Sequence, residues 1–127
     1  MTLNKFIVTF VIIGGFVTQA WADETASQQE INYLIQAVAD SGCDFERNGS
    51  RHDAHEAADH LRLKYRRGKK YADSAEHFID RLASESSFTG KPYRIVCSDS
   101  ESYLANNWLH EKLKLFRQPP PTPQVKK

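Results

Sequence analysis

Apolar residues recur along this chain at two spacings, one helical and one extended, and the changes between them mark out the elements. Ser27-Gln28-Gln29-Glu30 reads as a capping box ahead of Ile31, Leu34, Ile35 and Val38, which repeat as i, i+3, i+4, i+7 and predict a helix ending near Asp40. Ser41-Gly42 stops it. Cys43 to Arg47 then alternates apolar and charged residues up to Asn48-Gly49, so a short strand and a turn are expected. Asp53-Ala54-His55-Glu56 is a second capping box, and Ala54, Ala57, Ala58, Leu61 and Tyr65 share one face of a helix that Gly68 can end. A third box, Asp73 to Glu76, precedes Ala75, Phe78, Ile79 and Leu82, the stripe of a short helix closed by the Ser84 to Gly90 stretch. Behind Pro92, the apolar Tyr93, Ile95 and Cys97 predict a second strand. The last helix is expected from about Glu101 to Phe116, with Leu104, Trp108, Leu109, Leu113 and Leu115 as its apolar positions.

These elements make a mostly α domain of the α+β class: about four short helices with a two-stranded antiparallel ribbon. Residues 23–117 form a single compact helical domain in this reading, and the Pro-rich end, 118–127, is a disordered tail. The chain has 127 residues, 40% hydrophobic and 26% charged. That composition excludes a disordered, collagen-like or multispanning chain, and the length suits one small core.

The N-terminus carries an address. One positive charge within Met1 to Lys5, an apolar run from Phe6 to Val17, and Ala20-Trp21-Ala22 have the order of a signal peptide over residues 1–22, with the mature chain starting at Asp23. The apolar run falls short of the roughly 20 residues a bilayer core requires, so no stable membrane insertion is expected after cleavage. The expected product is a soluble monomer outside the cytoplasm. The 17 basic and 16 acidic residues become balanced once Lys5 is removed with the signal, so net charge implies no polyelectrolyte partner.

Cys43 and Cys97 are the two cysteines of the chain. In an oxidising compartment an even pair in a small exported domain is most simply a disulfide, and their wide separation does not suit the CxxC spacing of a redox motif. If they face each other across an antiparallel pair, Phe45 falls opposite Ile95 and Arg47 opposite Tyr93, because two steps along each strand return to the same face.

Three clusters are candidates for chemistry. His52, His55, Asp59 and His60 have residue types and spacing that could hold zinc or nickel in a small metal-dependent or hydrolytic enzyme. The competing reading is the polar side of an amphipathic helix, with acids near its positive N-terminal end, and no metal or other cofactor is expected. Arg62, Lys64, Arg66, Arg67, Lys69 and Lys70 concentrate positive charge in nine residues, which could grip an anionic surface group such as lipid heads or lipopolysaccharide phosphates, or an acidic envelope protein, or simply sit in water at a helix C-terminus. Nucleic acid is not expected outside the cytoplasm. The Arg47-Asn48-Gly49 turn could similarly hold an anion. Ser86, Ser87 and Thr89 lie near Gly90 without a GxSxG elbow, and no catalytic constellation stands out.

Phe45-Glu46-Arg47-Asn48-Gly49, HLRLK from His60 to Lys64, AEHFID from Ala75 to Asp80, and ASESS followed by TGKPY ending at Tyr93 resemble the YfeK-like family of small exported proteins of Gram-negative bacteria. The resemblance implies a periplasmic address and a compact helical domain with a little strand, and it brings no activity, substrate or cofactor. It singles out Arg47, Asn48, Gly49, His60, Lys64 and the Gly90 to Tyr93 turn. The function expected is that of a small non-catalytic binding or interaction domain of the cell envelope, using the Arg47 to Gly49 turn, His60, Lys64 and the basic positions Arg66, Arg67, Lys69 and Lys70. The alternatives are the histidine-based enzyme and an envelope protein with a purely structural role.

Overall fold

The computed structural model describes residues 19–98 and 101–125, so positions 1–18 of the expected export signal lie outside it. Helix α1 spans Gln19–Ala39. It buries Ile31, Leu34, Ile35 and Val38, the stripe that the spacing predicts. Its start lies well before Ser27, which is therefore an interior position of the helix and not its cap. Gly42, at φ +65°, turns the chain out of the helix in a conformation that a side chain would strain.

Strands β1 (Asp44–Arg47) and β2 (Ser50–His52) form a hairpin. Arg47 pairs with Ser50, so Asn48 and Gly49 are a two-residue turn. Both have positive φ, +51° and +79°, as a turn matching the twist of the strands requires. Helix α2 (Ala54–Arg67) follows, with Asp53 as its N-cap accepting from the Glu56 amide at 2.9 Å. A single 3-10 turn, Lys69–Tyr71, leads to Ser74, which accepts from the His77 amide at 3.1 Å and caps α3 (Ala75–His77). The cap is thus one residue later than the box at Asp73 suggests. The chain continues from α3 as a wider π-helical segment, Phe78–Ala83, burying Phe78, Ile79 and Leu82. Strands β3 (Arg94–Ser98) and β4 (Glu101–Leu104) precede α4 (Ala105–Arg117).

The expected ribbon is half of the actual sheet. Four antiparallel strands lie in the order β2-β1-β3-β4, and the expected register holds at its centre, with Phe45 opposite Ile95. Cys43 and Cys97 form the disulfide. The last helix correspondingly starts at Ala105, because Glu101 to Leu104 is drawn into β3 as an edge strand, with Tyr103 opposite Ile95. Leu109 and Leu113 enter the core, Trp108 packs against it, and Leu104 and Leu115 are exposed. Phe45 and Ile95 join the helical stripes in one core. The Pro-rich stretch from Gln118 to Val125 has neither helix nor strand. Among the described residues no helix is long and apolar enough to cross a membrane.

Candidate functional site

A groove of about 600 Å³ lies between α2 and the loop from Ser84 to Tyr93. One wall follows from helical periodicity: His60, Leu63, Lys64 and Arg67 repeat as i, i+3, i+4, i+7 and form a stripe beside the buried one. Arg47 closes one end. It lies two residues from the buried Phe45, so strand alternation turns it to the helix side of the sheet. Tyr71, half exposed, and Phe88, 99% exposed, belong to the rim.

The opposite wall is a loop held by its own polar groups. Buried Ser86 accepts at Oγ from the amides of Phe88 and Thr89, while the Gly90 amide donates to the Ser86 carbonyl. Gly90 takes φ +68°, which lets the chain reverse towards Pro92. Asn48 joins this loop to the hairpin: its Nδ2 donates to Ser86 Oγ at 3.2 Å, and its Oδ1 accepts from Thr89 Oγ1 at 2.6 Å. Asn48 therefore satisfies a strained turn conformation and ties two distant segments together. Ser86 and Thr89 serve this bonding.

Tyr93 is the hub of the floor. Lys64 Nζ donates to its hydroxyl oxygen at 3.2 Å and to the Glu85 carbonyl at 3.1 Å, and sits 5.0 Å from the centre of the Tyr93 ring. His60 Nε2 is 3.4 Å from the same hydroxyl. Partial burial lowers the His60 pKa to about 4, with Arg47, Lys64 and His52 pressing the same way. A neutral imidazole can accept a hydrogen bond from the Tyr93 hydroxyl while Lys64 donates to the phenol oxygen. Burial, followed by the charge of Arg47, also lowers the Lys64 pKa, opposed by Glu85. Burial raises that of Tyr93, so the phenol stays protonated and is no nucleophile at neutral pH. Among the described residues no carboxylate lines the groove, although Glu46 and Glu56 line the adjoining pocket that shares Arg47, His60 and Tyr93, and the charge of Glu85 reaches both Lys64 and Tyr93.

The structure brings Arg47, Asn48, His60, Lys64 and Arg67 to this groove, while Gly49 stays at the exposed hairpin tip. The basic run divides. Arg62 pairs with Asp59 at 2.8 Å, Arg66 is exposed, and Lys69 and Lys70 line a separate depression beside Tyr65 and Ala72. The four residues of the suggested metal cluster do not converge. His52 lies 3.5 Å from Glu56, Asp59 is taken by Arg62, His55 is exposed, and His60 faces Tyr93. Among the described residues no group of three or more His, Cys, Asp or Glu is arranged to hold a metal ion. The reason is geometric: the helix begins only at Ala54, so His52 sits on β2 and outside the helical spacing.

Leu63, Gly68, Tyr71, Leu82 and Phe88 also line the groove and are not among the site residues expected from the sequence, and Ser86 and Ser87, noted there as hydroxyls near Gly90, line it too. For Leu63 a signal existed in the i, i+3, i+4, i+7 repeat from His60. For Tyr71 and Phe88 none did, since only folding sets them against α2.

Residues 25–117 match the family of unknown function DUF5329. The chain is also 43% identical over 91 residues to the uncharacterized protein YfeK of Salmonella typhimurium, an alignment covering 70% of this chain and 76% of that protein. No solved structure matches significantly. A family match over most of the chain and this identity to a relative agree with each other and with the motifs from Phe45 to Tyr93, and the chain belongs to the DUF5329, YfeK-like family.

Proposed function

We propose that this protein is a small binding domain of the bacterial cell envelope whose groove between α2 and the Ser84 to Tyr93 loop receives an anionic group. The observation that carries the reading is the convergence of Arg47, Lys64 and Arg67 on a groove lined, among the described residues, by no carboxylate. Three cations from two elements, brought together without a lining acid, repel one another unless an anion or solvent intervenes. The neutral His60 and the protonated Tyr93 add hydrogen-bonding capacity without adding charge. A phosphate or carboxylate fits this set, because an arginine fork binds either in bidentate fashion and a lysine contributes a point charge. The apolar part of the wall, Leu63, Leu82 and Tyr71, would suit a ligand with an uncharged body behind the anionic head. The periplasmic address and the monomeric state belong to this proposal as well.

Titration of the 15N-labelled protein with inorganic phosphate and with glycerol 3-phosphate tests the reading. Shifts confined to the amides around Lys64, Arg67 and Ser86 to Tyr93 are expected. Affinity should fall at least about tenfold in a Lys64→Gln/Arg67→Gln variant, the scale of losing a charge-assisted bond or two. Equal titrations of the two proteins would overturn the proposal.

A further inference from the structure

Phe88 is 99% exposed, yet the loop presenting it is held by buried Ser86 and by Asn48 and Thr89. Fixing a fully exposed phenylalanine on a bonded loop gives nothing to the isolated fold, whose core it does not reach. Tyr71, on the same groove, is also half exposed. Its ring has Lys70 Nζ at 4.9 Å from the centre, and Lys69 is exposed beside it. Lys91 adds a further exposed cation close to Phe88 in the chain. Thus two exposed aromatic rings stand on the rim of a cationic groove, with more lysines around them. This is the chemistry of a protein face that lies on an anionic bilayer: aromatic rings favour the interfacial layer, and lysines and arginines are drawn to the headgroups.

We infer that the groove rim docks on a bilayer bearing anionic lipid phosphates, with Phe88 and Tyr71 entering the headgroup layer and Arg67 and Lys64 taking a lipid phosphate in the groove. The inference rests on the anion-binding reading above and names its ligand class. Association is peripheral. Lys64 is held by the Glu85 carbonyl and the Tyr93 hydroxyl, and Glu46 and Glu56 belong to the adjoining pocket beside Arg47 and His60.

Sedimentation with vesicles tests it, using the chain from Asp23, oxidised, and vesicles of phosphatidylethanolamine with phosphatidylglycerol or of phosphatidylcholine alone. The protein should pellet with the anionic vesicles and stay in solution with phosphatidylcholine. Phe88→Ala should weaken vesicle binding about fivefold or more while leaving the inorganic phosphate titration unchanged, since the exposed ring contributes to burial in the interface and not to the anion contact. Lys64→Gln/Arg67→Gln should lose both. Because Phe88 touches no core residue, Phe88→Trp keeps the fold, and its emission should move to the blue on anionic vesicles. Wild-type protein that titrates with phosphate but ignores anionic vesicles overturns the lipid inference and leaves the groove reading standing. Protein that responds to neither overturns both. Equal binding by wild type and Phe88→Ala, equal binding to the two vesicle types, or no blue shift for Phe88→Trp in bound protein would also overturn the docking geometry.

Discussion

The ionisation of His60 departs strongly from its behaviour in water, and it gives the site a pH signature. Its pKa is 6.5 in an unfolded chain and about 4 in the fold. Between those values the unfolded chain binds a proton that the folded chain refuses, so stability is fully present above pH 6.5 and declines as pH falls towards 4. After discounting for the partly exposed ring, the effect is about 1 kcal/mol. Wild type should therefore lose about that much more stability than His60→Gln between pH 7 and pH 4.5, measured by urea unfolding. Parallel profiles would show that the ring is not held neutral. At this scale the sequence was partly legible. Motif resemblance picked out Arg47, Asn48, His60, Lys64 and Tyr93, but not that one hydroxyl joins His60 to Lys64, because those contacts cross from α2 to the start of β3.

Single elements show why some structure was readable and some was not. The stripes of α1 and α2 are periodic over several turns and that of Phe78–Ala83 over little more than one, and each buries the residues its spacing predicts except Tyr65, which is partly buried. The hairpin was half readable. Asn48-Gly49 is a strong two-residue turn signal, but Ser50-Arg51-His52 is only three residues long and lacks apolar alternation. Strand β4 is exposed along its length, and its Leu104 fits a helical count as well as a strand count. Asn48 couples the hairpin to the Ser84 to Tyr93 loop, and two substitutions separate its duties. Asn48→Gly keeps the positive φ and deletes the amide; Asn48→Ala loses both. Hydrogen exchange at Phe88 to Gly90 should quicken in both variants, whereas Asn48→Ala should be less stable than Asn48→Gly by about 1 kcal/mol, the cost of placing a Cβ in the left-handed region. Unchanged exchange in Asn48→Gly would show that the loop is held by Ser86 without Asn48.

For the whole molecule, two cross-links secure the ends of the layers. Arg117, the last residue of α4, bonds Glu30 of α1 and Glu76 of α3, which raises its own pKa and lowers that of Glu76. Exposed pairs of this kind stabilise weakly. The disulfide closes a far larger loop, Cys43 and Cys97 being 54 positions apart, and restricts the unfolded chain by about 4 kcal/mol. With the proposed periplasmic address, the mature chain is expected to begin at Asp23 and to lack two hydrogens relative to its reduced mass. Cys43→Ala/Cys97→Ala should unfold at a markedly lower urea concentration, consistent with a loss of about 4 kcal/mol, less any strain relieved. An unchanged midpoint would mean that the link adds nothing to the native balance. The sequence by itself determined the helical stripes, the cysteine pair and the Phe45 to Ile95 register, because periodicity and side-chain alternation are local properties that one buried face enforces. Only the tertiary structure decided that the ribbon is a four-stranded sheet, that His52, His55, Asp59 and His60 do not converge on one site, and that residues 47, 60–67 and 86–93 enclose one groove. Strand edges and clefts take their partners from distant chain, and no local pattern encodes which segment will arrive.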